Sequence, residues 1–319
     1  MKKYLIIQTA FIGDAILVSA LLEAVYHHFP ASQIDLLLRK GNESLYEKHP
    51  FLNQCLTFSR KKNKVKEIVR LTKLIRQEKY DAVINVQRFF TSGLLTAFSG
   101  AKTTIGFQKN PLSLFFSHRL PHNIDIGIHE IERNAALLKP LGINEIRKPK
   151  LYPFDDFEKP KFNYVCIAPA SVWFTKQWPE EKWIELVNTL PSNIKPVFLG
   201  GKQDTLMSNR IIQKSKRLDS LDLTGKITLL QSALWMQHAN MNYVNDSGPL
   251  HLCSAVDAPV TAIFCSTIPA FGFGPLSSFS TIWQTNENLI CRPCGLHGHR
   301  ACPEGHFKCA TTIKILPSL

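Results

Sequence analysis

The chain has 319 residues, 45% hydrophobic and 20% charged, with 16 Gly and 19 Pro, which excludes a collagen-like, coiled-coil or natively disordered protein. At roughly 150 residues per domain, two domains are expected, each able to bury a core without covalent staples. The net charge of +13 is uneven: residues 1–150 carry 23 Lys and Arg against 12 Asp and Glu, and residues 151–319 carry 15 against 13.

In chain order, residues 4–8 read as a buried strand and residues 15–28 as a helix. Between them runs Thr9-Ala10-Phe11-Ile12-Gly13-Asp14. A dinucleotide site would need G-x-G-x-x-G at this turn, and only Gly13 is present. Asp14 instead enters the helix, where it either caps the helix or serves as a general base. Lys2 and Lys3 before an apolar run imitate a secretion signal, but Asp14 falls where that run must stay uncharged, so the chain reads as cytoplasmic. No apolar run approaches the roughly 20 residues of a membrane-spanning helix.

Strands are expected at 33–38, 55–58 and 82–86, and helices at 64–79 and 130–141. The densest positive stretch holds Arg60, Lys61, Lys62, Lys64, Lys66, Arg70, Lys73, Arg76 and Lys79 against only Glu67 and Glu78. It is either a solvated helix face or a surface for an anionic partner, acidic substrate or lipid headgroups. No zinc-finger spacing, aromatic RNA-binding pattern or recognition helix accompanies it, so nucleic acid is not expected.

A Pro-rich interval at 148–162 reads as an interdomain linker, and the strand and helix alternation resumes beyond it with strands at 164–168, 196–199, 242–245 and 260–264. Alternation of this kind implies two parallel sheets and two Rossmann-like domains facing across a cleft, with ligands at the carboxyl ends of the strands. The expected boundaries are 1–155, 156–290 and a Cys-rich segment, 291–319.

Three loops of the second half follow strands. In the first, Ser171, Thr175 and Lys176 precede a helix begun by Pro179, Glu180 and Glu181, and offer two hydroxyls and a cation to a phosphate. In the second, Gly200 and Gly201 allow close approach of a nucleotide, while Asp204 either binds ribose or caps a helix. In the third, Asn245-Asp246-Ser247-Gly248-Pro249-Leu250-His251 has the form of a diphosphate cradle, or of an ordinary strand-to-helix turn.

The chain contains 8 cysteines, and in a reducing compartment these point to thiols or a metal rather than a disulfide framework. Cys291 and Cys294 have the spacing of a zinc half-site. Cys302 and Cys309 are spaced more widely than the usual knuckle, so a structural zinc and free thiols both stay open. Cys55, Cys166, Cys253 and Cys265 stand in apolar contexts and read as small buried hydrophobes.

In order and spacing, Ile7 through Asp14, Thr175-Lys176-Gln177-Trp178-Pro179, Gly200-Gly201-x-x-Asp204 and Asn245 through His251 resemble the lipopolysaccharide heptosyltransferases, glycosyltransferase family 9. So does the tail Cys302-Pro303-Glu304-Gly305-His306-Phe307-Lys308-Cys309, and the resemblance covers nearly the whole chain. It implies a GT-B fold with an acceptor domain followed by a donor domain. The implied activity is inverting, metal-independent transfer of heptose from ADP-heptose to the Kdo and lipid A inner core, at the cytoplasmic face of the inner membrane, with no required cofactor. By the same resemblance Asp14 is the base and Lys176 the donor-phosphate cation, both catalytic. Asp204 is the ribose acid, and Asp246, Ser247 and Gly248 form the donor loop beside His251, with Ser171 and Thr175 completing the donor set. Gly13, Arg60, Lys61, Lys62 and Lys64 fall to the anionic acceptor. Asp204 departs from the Glu of some members, and the chain stops at Leu319 with little room for the family's closing helix. Another nucleotide sugar, or a non-catalytic nucleotide-sugar-binding protein, are the alternatives.

Overall fold

The computed structural model describes residues 1–59, 63–124, 127–153 and 158–316. The chain divides into two units, Met1–Tyr152 and Pro153–Leu319. The first contains β1 (Lys3–Gln8), α1 (Ile12–Leu17), α2 (Ser19–His28), β2 (Gln33–Arg39), β3 (Leu52–Phe58), α3 (Lys64–Glu78), β4 (Ala82–Asn85), α4 (Phe90–Ala97), β5 (Thr103–Phe107), β6 (His118–Leu120) and α5 (Glu130–Ala135). Its strands are all parallel, in the order β3-β2-β1-β4-β5-β6. Parallel strands covered on both faces must be apolar throughout, which is why Tyr4 to Ile7 and Val83 to Ile84 are buried without alternation. Leu71 and Ile75 of α3 join Leu5, Ile7, Leu37, Phe58 and Val83 in the core, and leave the basic face of that helix outside.

The second unit contains β7 (Tyr164–Ala168), α6 (Glu180–Thr189), β8 (Lys195–Phe198), α7 (Thr205–Lys214), β9 (Leu221–Asp222), α8 (Leu229–His238), β10 (Met241–Asn245), α9 (Gly248–Ala255), β11 (Val260–Phe264), β12 (Ser280–Gln284) and α10 (Lys308–Thr311). Its parallel order is β12-β11-β10-β7-β8-β9. Trp178 and Trp183 are fully buried and meet edge to face at 5.2 Å between ring centroids. The Trp178 indole Nε1 donates to the Ala310 carbonyl at 3.2 Å, and Ala310 and Ile313 lie in the same core. The end of the Cys-rich segment, Cys309, Ala310 and Ile313, is thus packed into this unit.

Local deviations from the expected elements have local causes. The helix expected at 15–28 begins at Ile12 and is broken at Val18 into α1 and α2. The one expected at 130–141 is α-helical only to Ala135 and then tightens into a 3-10 turn, Ala136–Leu141, containing Pro140. Proline cannot donate, and its ring crowds the carbonyl four residues back. The expected boundary at 155/156 lies outside the described residues.

In each sheet the chain leaves the first-formed strand in both directions. The reversal falls between β1 and β4 in the first unit and between β7 and β10 in the second. Loops at the carboxyl ends of such a strand pair diverge and leave a crevice. Asp14 follows β1, Lys176 follows β7 and Asp246 follows β10.

Candidate active site

In the first unit Asp14 is the third residue of α1, partly exposed, and the capping position belongs to Phe11, whose side chain makes no capping bond. Burial lifts its carboxyl from the ordinary 3.8 to about 6, the Glu130 charge adds to the rise, and the backbone amides of Asp14 and Phe11 and the Arg88 charge oppose it. Sequence reasoning missed these neighbours. Arg88 Nη1 stands 3.5 Å from His122 Nδ1, His122 Nε2 stands 4.0 Å from Glu130 Oε2, and Arg133 Nε donates to the same Glu130 oxygen at 2.8 Å. His122, Glu130 and Arg133 are all buried. Burial alone would push Glu130 up, but His122 and Arg133 more than offset it, so this carboxyl stays below its ordinary range and charged. The only sequence signal was the i, i+3 spacing of Glu130 and Arg133.

Beside this group, at the ends of β1 and β4, Gln8, Asn85 and Gln87 are buried. Gln87 Nε2 donates to Gln8 Oε1, and the Gln87 amide donates to Asn85 Oδ1 at 2.8 Å. Asn85 Nδ2 and Gln87 Oε1 find no partner among the described residues. Buried amide groups left open at a strand-end crevice are suited to ligand hydroxyls. Gly13 lies in α1 next to Asp14. Lys64 begins α3 and is exposed, while Arg60, Lys61 and Lys62 lie outside the described residues.

In the second unit the structure brings together two residues 70 positions apart: Lys176 Nζ lies 2.6 Å from Asp246 Oδ2, with both side chains largely buried. Thr267 Oγ1 donates to the same Asp246 oxygen at 2.6 Å. Asn245, fully buried, ties the two loops: its Nδ2 donates to the Pro169 carbonyl at 2.7 Å, and its Oδ1 accepts from the Trp178 amide at 3.0 Å. Ser247 is the N-cap of α9 in extended conformation, its hydroxyl turned to the Asn245 carbonyl, and Gly248 and Pro249 open the helix. The first-turn amides of a helix have no intrahelical acceptor and carry the positive end of its dipole. An ammonium and such a helix start on adjacent loops are groups suited to an anion. His251 is buried in α9, edge-on to Phe273.

Two expectations are corrected. Thr175 does not offer a hydroxyl to a ligand, because it is 1% exposed and its Oγ1 accepts from Ser266 Oγ and the His299 amide. At Gly200 a Cβ would lie 3.0 Å from Asp204 Oδ2, and at Gly201 2.5 Å from Nε2 of the exposed Gln203 side chain. Among the described residues no group of three or more His, Cys, Asp or Glu could hold a metal ion, so zinc at Cys291, Cys294, Cys302 and Cys309 is unsupported. All four are free thiols, and α10 carries Cys309 into the buried interior, where burial pushes its thiol up to about 11. Ser171 is partly exposed on the loop after β7. Asp204 accepts the Gly201 amide at 2.8 Å through Oδ2, and burial raises its carboxyl while that amide lowers it.

Comparison with known proteins identifies the family and the fold. Residues 68–295 match the family model "Glycosyltransferase family 9 (heptosyltransferase)". The chain is 26% identical over 297 residues to lipopolysaccharide heptosyltransferase 3 of Escherichia coli K12, covering 86% of each chain. Among solved structures it is similar to E. coli ADP-heptose LPS heptosyltransferase II (TM-score 0.78, 20% identity, 94% and 92% covered). It is also similar to E. coli heptosyltransferase WaaC with ADP (TM-score 0.75, 21% identity, 88% and 93% covered). With two parallel α/β units of this topology, the chain has the GT-B fold, belongs to glycosyltransferase family 9, the heptosyltransferases, and is a glycosyltransferase enzyme.

Proposed function

We propose that the protein transfers heptose from ADP-heptose to the inner core of lipopolysaccharide with inversion at the anomeric carbon. The observation that carries the reading is Asp14: a partly exposed carboxylate at the carboxyl end of β1 whose proton affinity is raised to about 6. A base near neutrality takes a proton far better than an ordinary aspartate. The acceptor hydroxyl oxygen bonds to the anomeric carbon, its proton passes to Asp14, and the bond from that carbon to the diphosphate oxygen breaks. Lys176 and the start of α9 stabilise the charge on the departing ADP, so no metal is required. Asp204 takes the ribose hydroxyls through Oδ1. Asp246 holds Lys176 until the diphosphate arrives, and Ser171, Ser247 and Gly248 line the approach beside His251.

The first unit is read as the acceptor side. Asn85, Gln87 and Arg88 meet hydroxyls and carboxylates of the sugar acceptor, with Gly13 at the turn. The basic face of α3, preceded by Arg60, Lys61 and Lys62, meets lipid phosphates at the cytoplasmic face of the inner membrane. Support for contact with lipid comes from exposed Val65 and Val69 among the α3 lysines, and from exposed Phe11, Phe89, Phe90, Leu114 and Phe115 on or beside loops after β1, β4 and β5. Apolar side chains interleaved with lysines suit an anionic interface. No described helix is long and apolar enough to cross a membrane.

The test is donor turnover with Kdo-lipid A or a heptosylated acceptor. ADP release with an α-linked or β-linked product of the opposite anomeric configuration to the donor supports the reading. Equal turnover of UDP- or GDP-sugars would refute the choice of donor, and absence of any turnover would leave a binding protein.

A further inference from the structure

The Cys-rich turn is laced to the loop carrying Lys176. Arg292 Nε donates to the Cys265 carbonyl at 2.7 Å, and its Nη2 reaches the Phe264 and Thr267 carbonyls at 3.2 and 2.9 Å. The Cys294 amide donates to the Ser266 carbonyl at 2.8 Å. Further along, the Thr175 amide donates to the His299 carbonyl at 3.1 Å, and the His299 amide returns a bond to Thr175 Oγ1 at 2.7 Å. Ser266 closes the circuit, its hydroxyl on Thr175 Oγ1 at 3.1 Å and its amide on the Thr175 carbonyl at 3.2 Å.

Gly298 sits at the centre of this contact with φ +74. A Cβ there would stand 2.9 Å from Lys176 Cγ, 3.0 Å from Thr175 Oγ1 and 3.3 Å from Trp173 Cβ. The bare backbone of residue 298 is therefore the wall against which the methylene stem of Lys176 lies. The other end of that side chain is fixed at Asp246, which Thr267 also holds, and the Thr267 carbonyl is one of those gripped by Arg292.

We propose that the turn 292–299 is a positioning brace for Lys176, with Gly298 seating the lysine stem and the reciprocal Thr175 and His299 bonds fixing its loop. This rests on the reading of Lys176 as the donor-phosphate cation. A lysine is a point charge on a flexible four-carbon stem, and ordering it on an anion costs rotamer freedom. Packing the stem beforehand removes that cost from binding and from the transition state. Arg292 and Gly298 are positioning residues; neither touches the diphosphate.

The experiment compares Gly298→Ala with Gly295→Ala in the full chain. Both positions have positive φ, +74 and +77, so both substitutions strain the backbone alike. At Gly295 the new methyl meets only His299 Nε2, at 3.8 Å. ADP affinity by calorimetry and melting temperature are measured for both, together with Lys176→Ala. Gly298→Ala should melt below Gly295→Ala because its methyl also crowds Lys176, Thr175 and Trp173, and ADP binding, measured well below both transitions, should be at least about tenfold weaker in Gly298→Ala, since charge-assisted bonds are sensitive to placement. Equal ADP affinities in the two glycine variants, with Lys176→Ala impaired, would overturn the brace and leave the donor reading intact. Undiminished ADP binding by Lys176→Ala would overturn the donor reading itself. Should Gly298→Ala fail to fold, Thr175→Val and Thr175→Ser replace it. Valine, which cannot accept the His299 amide, should weaken ADP binding while serine preserves it, and equal affinities would again overturn the brace.

Discussion

Asp14→Asn separates a helix-stabilising carboxylate from a catalytic one, because the two roles predict opposite signs for stability. In the folded protein burial, then Glu130, lifts this carboxyl from 3.8 to about 6. That rise corresponds to about 3 kcal/mol. The folded state binds the Asp14 proton more tightly than the unfolded chain, so it holds more protons between about pH 4 and pH 6, and stability falls as pH rises through that window. At pH 7 the ionised side chain thus destabilises the fold by up to about 3 kcal/mol. Asparagine is neutral and keeps an oxygen for the backbone amides of Phe11 and residue 14. We expect Asp14→Asn to melt several degrees higher than the parent at pH 7 and to match it near pH 4, at about 2–4 °C per kcal/mol. Transfer should fall by about 10² to 10⁴, the usual worth of a general base. Calorimetric melts from pH 4 to 8 and initial rates at saturating donor read both quantities. A lower melting temperature at pH 7, or activity within tenfold of the parent, would refute the reasoning.

Lys176→Ala should weaken ADP-heptose binding at least about tenfold, the scale of one charge-assisted hydrogen bond, as read by calorimetry. Glu130→Gln removes a negative neighbour from Asp14, so the acid limb of kcat/KM, expected near pH 6, should move to lower pH; a pH-rate profile in which it stays in place or rises contradicts the coupling. Changing Lys61, Lys62, Lys64 and Lys66 together to Gln should release the protein from anionic vesicles at about 1 kcal/mol per charge while leaving ADP affinity unchanged, checked by cosedimentation at physiological salt.

The strands at the centres of both sheets were legible because a strand buried on both faces must be a nearly continuous apolar run, and residues 4–7 and 164–168 are such runs, as is 260–264 apart from Thr261. Strand β5 was missed because it is short and interrupted by Gly106, and helix α4 because Thr91, Ser92 and Gly93 are weak helix formers on which their neighbours impose the structure. The loop after each central strand could be located in advance, as could Lys176 and Asp246 on those loops and Asp14 at the start of the helix after β1.

Which groups meet across those loops was decided by the tertiary structure alone. Lys176 finds Asp246 because β7 and β10 are neighbours in the sheet although 70 residues separate the pair. Thr175, attractive in sequence as a phosphate ligand, is consumed by His299 and Ser266, and Gly298, at positive φ, lies against the Lys176 stem, Thr175 and Trp173. Glu130 and Arg88 change the proton affinity of Asp14 only through proximity. Periodicity reports which face of an element is dry, a property of a residue and its near neighbours in the chain. Hydrogen bonding, charge coupling and steric contact fall off within a few ångströms, and only the folded chain brings distant residues within that range.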